Sequence, residues 1–220
     1  MPAESEFQAV IFDLGGVVLG SPLPAIAAFE ADTGLPRRFI ARLVIDGGHD
    51  GPWACLERGE LDAVGFADAF SRQGTALGHP VDAASLLEYI EAATAPRPAM
   101  VTALGQLRRA GLRVAALTNA WDMPHRKERM DRLRGEFDCF VESFRVGMRK
   151  PEPRIYTLAC RELRVAPGAT IFLDDLGSNL KPARAMGMTT VKVGIARQAL
   201  AALERLTRVP LSAESRPALR

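Results

Sequence analysis

Four groups of reactive side chains stand at or just beyond apolar runs. They are Asp13 after Gln8 to Phe12, Thr118-Asn119 after Leu112 to Leu117, Lys150, and Asp174-Asp175 after Thr170 to Leu173. Their types suit one chemistry. Two carboxylates can share a divalent cation such as Mg²⁺, which prefers oxygen ligands and keeps waters and substrate phosphate oxygens in its shell. A hydroxyl, an amide N–H and an ammonium can donate to a phosphate and offset charge that builds on a transferring group. Asp13 is then the carboxylate expected to attack phosphorus, giving an aspartyl-phosphate that water cleaves.

For these groups to meet, the chain must bring distant strand ends to one edge. From Pro98 onward helical and apolar strand-like segments alternate. Helix is expected from Met100 to Arg108, stopped by Gly111, then around Met130 to Phe137, Pro151 to Leu163, Leu180 to Met186 and Ala196 to Leu206. Strands are expected at Gln8 to Phe12, Leu112 to Leu117, Phe140-Val141, Thr170 to Leu173 and Thr189 to Val193. Apolar strands alternating with helices imply a parallel sheet covered on both faces, an α/β doubly wound fold. In such a sheet ligands bind outside the carboxyl ends of the strands.

Between Pro22 and about Ala93 the pattern is helical throughout, with Asp62 and Asp82 as N-caps and Gly34 and Gly47-Gly48 as stops. This block reads as a small all-helical cap inserted after the first strand. The expected organisation is a core of residues 1–20 and 95–210, a cap of 21–94, and a frayed tail at 211–220.

Composition narrows the classes. With 220 residues, 48% hydrophobic and 25% charged, the chain has ordinary globular usage. A net charge of +2 gives no nucleic-acid footprint, and the clusters Arg126-Lys127 with Arg129 and Arg205 to Arg220 read as solvated faces or tails. The cysteines Cys55, Cys139 and Cys160 lack the spacing of a disulfide framework or zinc ribbon, which fits a reducing cytoplasm. There is no apolar run of membrane-spanning length and no cationic leader, so neither a membrane nor a nucleic acid is an expected partner. Oligomeric state is not legible here.

The chain resembles the haloacid dehalogenase superfamily of aspartyl-nucleophile hydrolases, and within it the phosphatase-like N-terminal domain of soluble epoxide hydrolases. The resemblance is carried by VIFDLGGVV, ALTNAW, VGMRKPEPRIY and FLDDLGSNLKPARAMGM, with LERGEL at Leu56 to Leu61 in the helical block. It implies Asp13 as nucleophile, Thr118 and Asn119 as phosphate contacts, and Lys150 as the balancing cation. It implies Mg²⁺ on Asp13, Asp175 and the carbonyl of Gly15, supported by Asp174 and Asn179. The Gly15-Gly16 turn is placed beside the phosphate, and the cap is expected to select a small phosphorylated substrate.

One position departs from that pattern. Phosphatases of the family carry a second aspartate two residues after the nucleophile as general acid and base; here the position is Gly15. Losing such a group costs about 10²- to 10⁴-fold in rate. The loss falls on alkyl phosphates, whose alkoxides leave poorly, more than on anomeric, acyl or aryl phosphates. Activated phosphates are therefore the expected substrates. Hydrolytic dehalogenation is an alternative, because halide departs without a proton, although it requires no metal site. A silent binding module that keeps the pocket is a third reading.

Other residues read as structural. GGVVLG does not match G-x-G-x-x-G, so no dinucleotide site is expected. His49, His79 and His125 have no ligand spacing. Trp53 and Phe66 read as cap core, Lys181 and Arg184 as decoration of the helix after the metal loop, and the cysteines and methionines as packing.

Overall fold

A computed structural model describes residues 6–122 and 127–211. His125 and Arg126, and the tail beyond Leu211, lie outside the described residues, as do the side chains of Lys127 and Arg129. Five parallel strands, β1 (Ala9–Phe12), β2 (Arg113–Thr118), β3 (Cys139–Glu142), β4 (Thr170–Asp174) and β5 (Thr189–Lys192), form one sheet in the order β3-β2-β1-β4-β5. The order reverses at β1, which pairs Phe12 with Ala116 of β2 and with Leu173 of β4. That is the switch point where open α/β sheets leave a crevice.

Each inner strand is apolar on both faces, as a doubly covered sheet requires. Val10, Phe12, Val114, Ala116, Ile171 and Leu173 point to one face, where they meet α6 (Pro98–Arg109) and α11 (Ala196–Thr207). Ile11, Ala115, Leu117 and Phe172 point to the other, against α9 (Pro153–Leu163) and α10 (Gly177–Ala185). The remaining core-side helices are α7 (Lys127–Arg134) and α8 (Ser143–Val146).

Helices α1 (Leu23–Asp32), α2 (Phe39–Gly47), α3 (Pro52–Glu57), α4 (Ala63–Ala76) and α5 (Ala83–Ala93) lie between β1 and α6 and share a separate core. Phe29, Leu43, Phe66, Phe70, Leu86 and Ile90 fill it, with the Phe66 and Phe70 rings stacked at 5.0 Å. Asp62 and Asp82 cap α4 and α5 by accepting from Gly65 N–H at 2.8 Å and Ser85 N–H at 3.1 Å. The two chain crossings into this block are zipped together. Gly20 N–H donates to Ala95 O at 2.8 Å and Arg97 N–H to Val18 O at 2.9 Å. Gly20 has no room for a side chain there, since a Cβ would lie 2.5 Å from Ala93 O.

Several expected boundaries shift. The helix after Asp175 begins at Gly177, three residues before Leu180, and accommodates Pro182 in its interior. The helix expected around Met130 to Phe137 spans Lys127–Arg134, and α9 starts at Pro153 instead of Pro151. Strand β2 extends one residue further, so Thr118 is its last member. Helix α2 starts at Phe39, and its cap comes from outside the local sequence. Glu30 of α1 accepts from Arg38 N–H at 2.7 Å and Ile40 N–H at 2.9 Å. Among the described residues no helix is long and apolar enough to cross a membrane.

Candidate active site

Asp13 leaves β1 with its N–H still paired to Leu173 O at 2.9 Å, so its position is fixed by the sheet. Its Oδ1 accepts from Leu14 N–H at 2.7 Å and from Lys150 Nζ at 2.8 Å. Lys150 is buried, and its Nζ also donates to Asp174 Oδ2 at 2.7 Å. Asp174, at the end of β4, is fully enclosed and further receives Leu176 N–H at 2.8 Å and Asn179 Nδ2 at 3.1 Å from each oxygen. Asn179 is itself anchored, its carbonyl accepting from Tyr156 Oη at 2.8 Å.

Carboxylate oxygens of Asp13, Asp174 and Asp175 all lie within 4.8 Å of one another. Three carboxylates against the one buried ammonium leave two formal negative charges. Such an all-oxygen set with that deficit fits a hard divalent cation. Burial raises the Asp13 carboxyl to about 7; Lys150 opposes the rise, and Asp174 and Asp175 add to it. Asp175 is also raised, chiefly by burial and then by Asp174. Burial disfavours the charge on Lys150, but Asp13 and Asp174 outweigh it and hold the ammonium above its usual range.

Gly16 explains how Asp175 comes so near. Its φ is +76°, which favours glycine, and a Cβ would lie 2.2 Å from Asp175 Oδ2. Arg97 Nη1 steadies the turn by donating to Gly16 O at 2.9 Å. Gly15 differs: its φ is −61°, and a Cβ there would meet only Pro22 Cδ at 3.8 Å. Backbone geometry therefore does not require glycine at 15.

Thr118 and Asn119 reach the same edge from β2. Thr118 is buried, with its hydroxyl 3.3 Å from Asn119 O. The Asn119 amide is occupied at both ends: Oδ1 accepts from Lys150 N–H at 2.8 Å, and Nδ2 donates to Lys150 O at 3.0 Å and Glu57 Oε2 at 3.2 Å. Glu57, in α3, also accepts from Arg149 Nε at 2.6 Å and Trp53 Nε1 at 3.0 Å. Sequence reasoning missed Glu57 and Arg149 as a pair. Both lie in quoted motifs, but 92 residues separate them and no spacing rule joins them.

A cavity of about 810 Å³ opens above this floor. Asp13, Gly15, Thr118, Lys150 and Asp175 line its base, while Leu23, Ile26, Ile40, Val44, Ile45 and Trp53 of the helical block line its walls. Trp121, two residues beyond Asn119, packs edge-on against Trp53 with centroids 5.8 Å apart. With a divalent cation on its carboxylates, the base can hold a compact anion, and the walls an apolar group above it.

The family model for haloacid dehalogenase-like hydrolases matches residues 7–187. The chain is 37% identical over 208 residues to acyl-CoA dehydrogenase family member 10 of Mus musculus, covering 93% of this chain and 20% of that protein. It is 35% identical over 218 residues to bifunctional epoxide hydrolase 2 of Sus scrofa, covering 93% of this chain and 39% of the relative. The chain thus spans from a fifth to two fifths of these relatives. Sesquiterpene phosphatase astK of Aspergillus oryzae is 27% identical over 186 residues, with coverage of 83% and 87%. A haloacid dehalogenase family enzyme of Bacteroides thetaiotaomicron, solved with magnesium and inorganic phosphate, superposes with a TM-score of 0.64 at 22% identity. The superposition covers 86% of this chain and 96% of that one, and at this identity the likeness concerns the fold.

Proposed function

We propose that the chain, which belongs to the haloacid dehalogenase-like hydrolase family, is a Mg²⁺-dependent phosphatase. It would act through Asp13 on phosphate monoesters whose alcohol half is apolar. The observation that carries this reading is the bridge of Lys150 Nζ between Asp13 and Asp174, with Asp175 in the same carboxylate cluster. Asp13, Asp175 and the Gly15 carbonyl would hold the cation, with Asp174 and Asn179 in support. When bound, Mg²⁺ supplies charge neutralisation that lets a phosphate approach an anionic carboxylate.

The chain's own groups do the rest. An Asp13 oxygen forms a bond to phosphorus as the ester P–O bond breaks, and the electron pair leaves with the alcohol oxygen. Lys150, held from both sides, keeps Asp13 oriented and offsets charge on the transferred group. Thr118 lines the base as a hydroxyl donor. Gly15 offers no proton, so the departing oxygen takes one from water, and water then cleaves the acyl phosphate. This favours leaving groups that are stable as anions.

The apolar cavity walls support a hydrophobic alcohol, and the likeness to a sesquiterpene phosphatase points the same way. Phosphate release from p-nitrophenyl, decyl and glycerol phosphates, with and without Mg²⁺, tests the proposal. The expected order is p-nitrophenyl first, then decyl above glycerol phosphate through a lower KM, and no turnover by Asp13→Asn. Halide release from 2-chloropropionate without Mg²⁺, and no phosphate release, would install the dehalogenase reading instead. Absence of both, with no thermal stabilisation by Mg²⁺ and beryllium fluoride, would leave a binding module.

A further inference from the structure

The helical block reaches the charged base through one carboxylate. Glu57 is buried, and its oxygens receive three donors: Trp53 Nε1 at 3.0 Å from within the block, and Arg149 Nε at 2.6 Å and Asn119 Nδ2 at 3.2 Å from the sheet side. Burial pushes the Glu57 carboxyl upward and Arg149 and Trp53 pull it back, and its three donors suit the acceptor-only carboxylate. Asn119 passes the constraint on, because its amide clasps both the N–H and the carbonyl of Lys150. Lys150 Nζ then spans Asp13 and Asp174.

We propose that Glu57 is a positioning residue that couples seating of the helical block to the placement of Lys150, acting through Asn119 and paired with Arg149. The kinetic part of this inference rests on the phosphatase reading. The consequence is that the cation beside the nucleophile is held in its working position only while the block is docked. A substrate that fills the cavity and keeps α3 in place thereby helps to assemble the site that consumes it. The same joint carries the Trp53–Trp121 contact, and these are the protein's two tryptophans, so their emission reports docking.

The chemistry of the joint selects glutamate. Glutamine would turn an NH₂ toward at least one of the three donors. Aspartate keeps the charge but loses the reach across to Asn119. Glu60, by contrast, pairs with Arg58 and is half exposed, so it has no part in the joint.

The test compares Glu57→Gln, Asn119→Ser, their double variant and the control Glu60→Gln. It reads kcat and KM for p-nitrophenyl phosphate with Mg²⁺, tryptophan emission, and hydrogen exchange of the Lys150 amide, which donates to Asn119 Oδ1. Each joint variant is expected to lose about 10- to 100-fold in kcat with little change in KM, the penalty of a small displacement at a reacting centre. The double variant loses no more than the worse single one, both singles exchange the Lys150 amide faster, and Glu60→Gln matches wild type. Losses that multiply overturn the proposal, as does unchanged Lys150 exchange in Glu57→Gln. Disappearance of one limb of the pH–kcat profile in Glu57→Gln would make Glu57 a proton-transfer group and overturn it equally. If wild type releases no phosphate, the phosphatase reading fails and amide exchange alone decides the coupling. If Glu57→Gln does not fold, Glu57→Asp carries the same expectations.

Discussion

Gly16 and Asp175 are packed so closely that a Cβ on Gly16 would stand 2.2 Å from Asp175 Oδ2. The obstacle is the end of a side chain, so in Gly16→Ala the carboxylate rotates away instead of the backbone breaking. The positive φ adds a conformational cost of about 1–2 kcal/mol. The variant is expected to lose that much in denaturant titration and at least about tenfold in Mg²⁺ affinity, the scale seen when the support of a metal ligand is disturbed. Unchanged Mg²⁺ binding by calorimetry would remove Asp175 from the cation site.

Gly15 gives the opposite expectation. A Cβ there meets only Pro22 Cδ at 3.8 Å and φ is ordinary, so Gly15→Asp folds without strain. A carboxyl at 15 restores a proton donor, and decyl phosphate turnover is expected to rise by up to about 10²-fold, the lower range for one acid/base group. p-Nitrophenyl phosphate, whose leaving group needs no proton, changes little. An equal gain on both substrates would mean that the residue acts by some route other than proton transfer.

Asp13 makes stability depend on pH when Mg²⁺ is absent. Folded, it keeps its proton to about 7, against an ordinary 3.8, so between those values the folded state binds more protons than the unfolded one. Stability therefore falls as pH rises through that window. Asp175, raised for the same physical reason, adds in the same direction. A bound divalent cation inverts the local preference for protons. Melting temperature is expected to decline from acid to neutral pH in EDTA and to lose that slope in saturating Mg²⁺; parallel slopes would place the cation elsewhere.

Phe70 tests the helical block. It is fully buried, stacked on Phe66 at 5.0 Å and 5.8 Å from the Trp53 ring that walls the cavity. Phe70→Ala is expected to cost about 3–5 kcal/mol. The loosened wall raises KM for decyl phosphate more than for p-nitrophenyl phosphate. Equal KM changes would detach the Trp53 wall from recognition of the alkyl chain.

Much of this arrangement is legible in the sequence because strands write their burial plainly. Ile11, Leu117 and Leu173 fall in apolar runs, and the polar residue after each run lands on the same sheet edge. Asp62 and Asp82 are legible because capping is local. The rest depends on long-range contact. Nothing near Phe39 announces that Glu30 caps α2, and nothing near Leu56 announces that Glu57 meets Arg149. Gly16 reads as an ordinary turn glycine until Asp175 is seen against it. Pro182 argues for a later helix start, yet α10 carries it in its interior because Leu180 and Ala183 are buried against the sheet.

The zipped crossing at Gly20 and Ala95 gives the insertion the character of a cassette. Its two ends run side by side, one following the turn after Asp13 and the other leading into α6, and no strand of the sheet is contributed by what lies between them. Away from the Glu57 joint, residues 21–94 can therefore change length, wall chemistry or cavity shape without altering the strand order. The strand-end carboxylates and the cavity walls thus lie in separate stretches of the chain, tied to each other through Glu57.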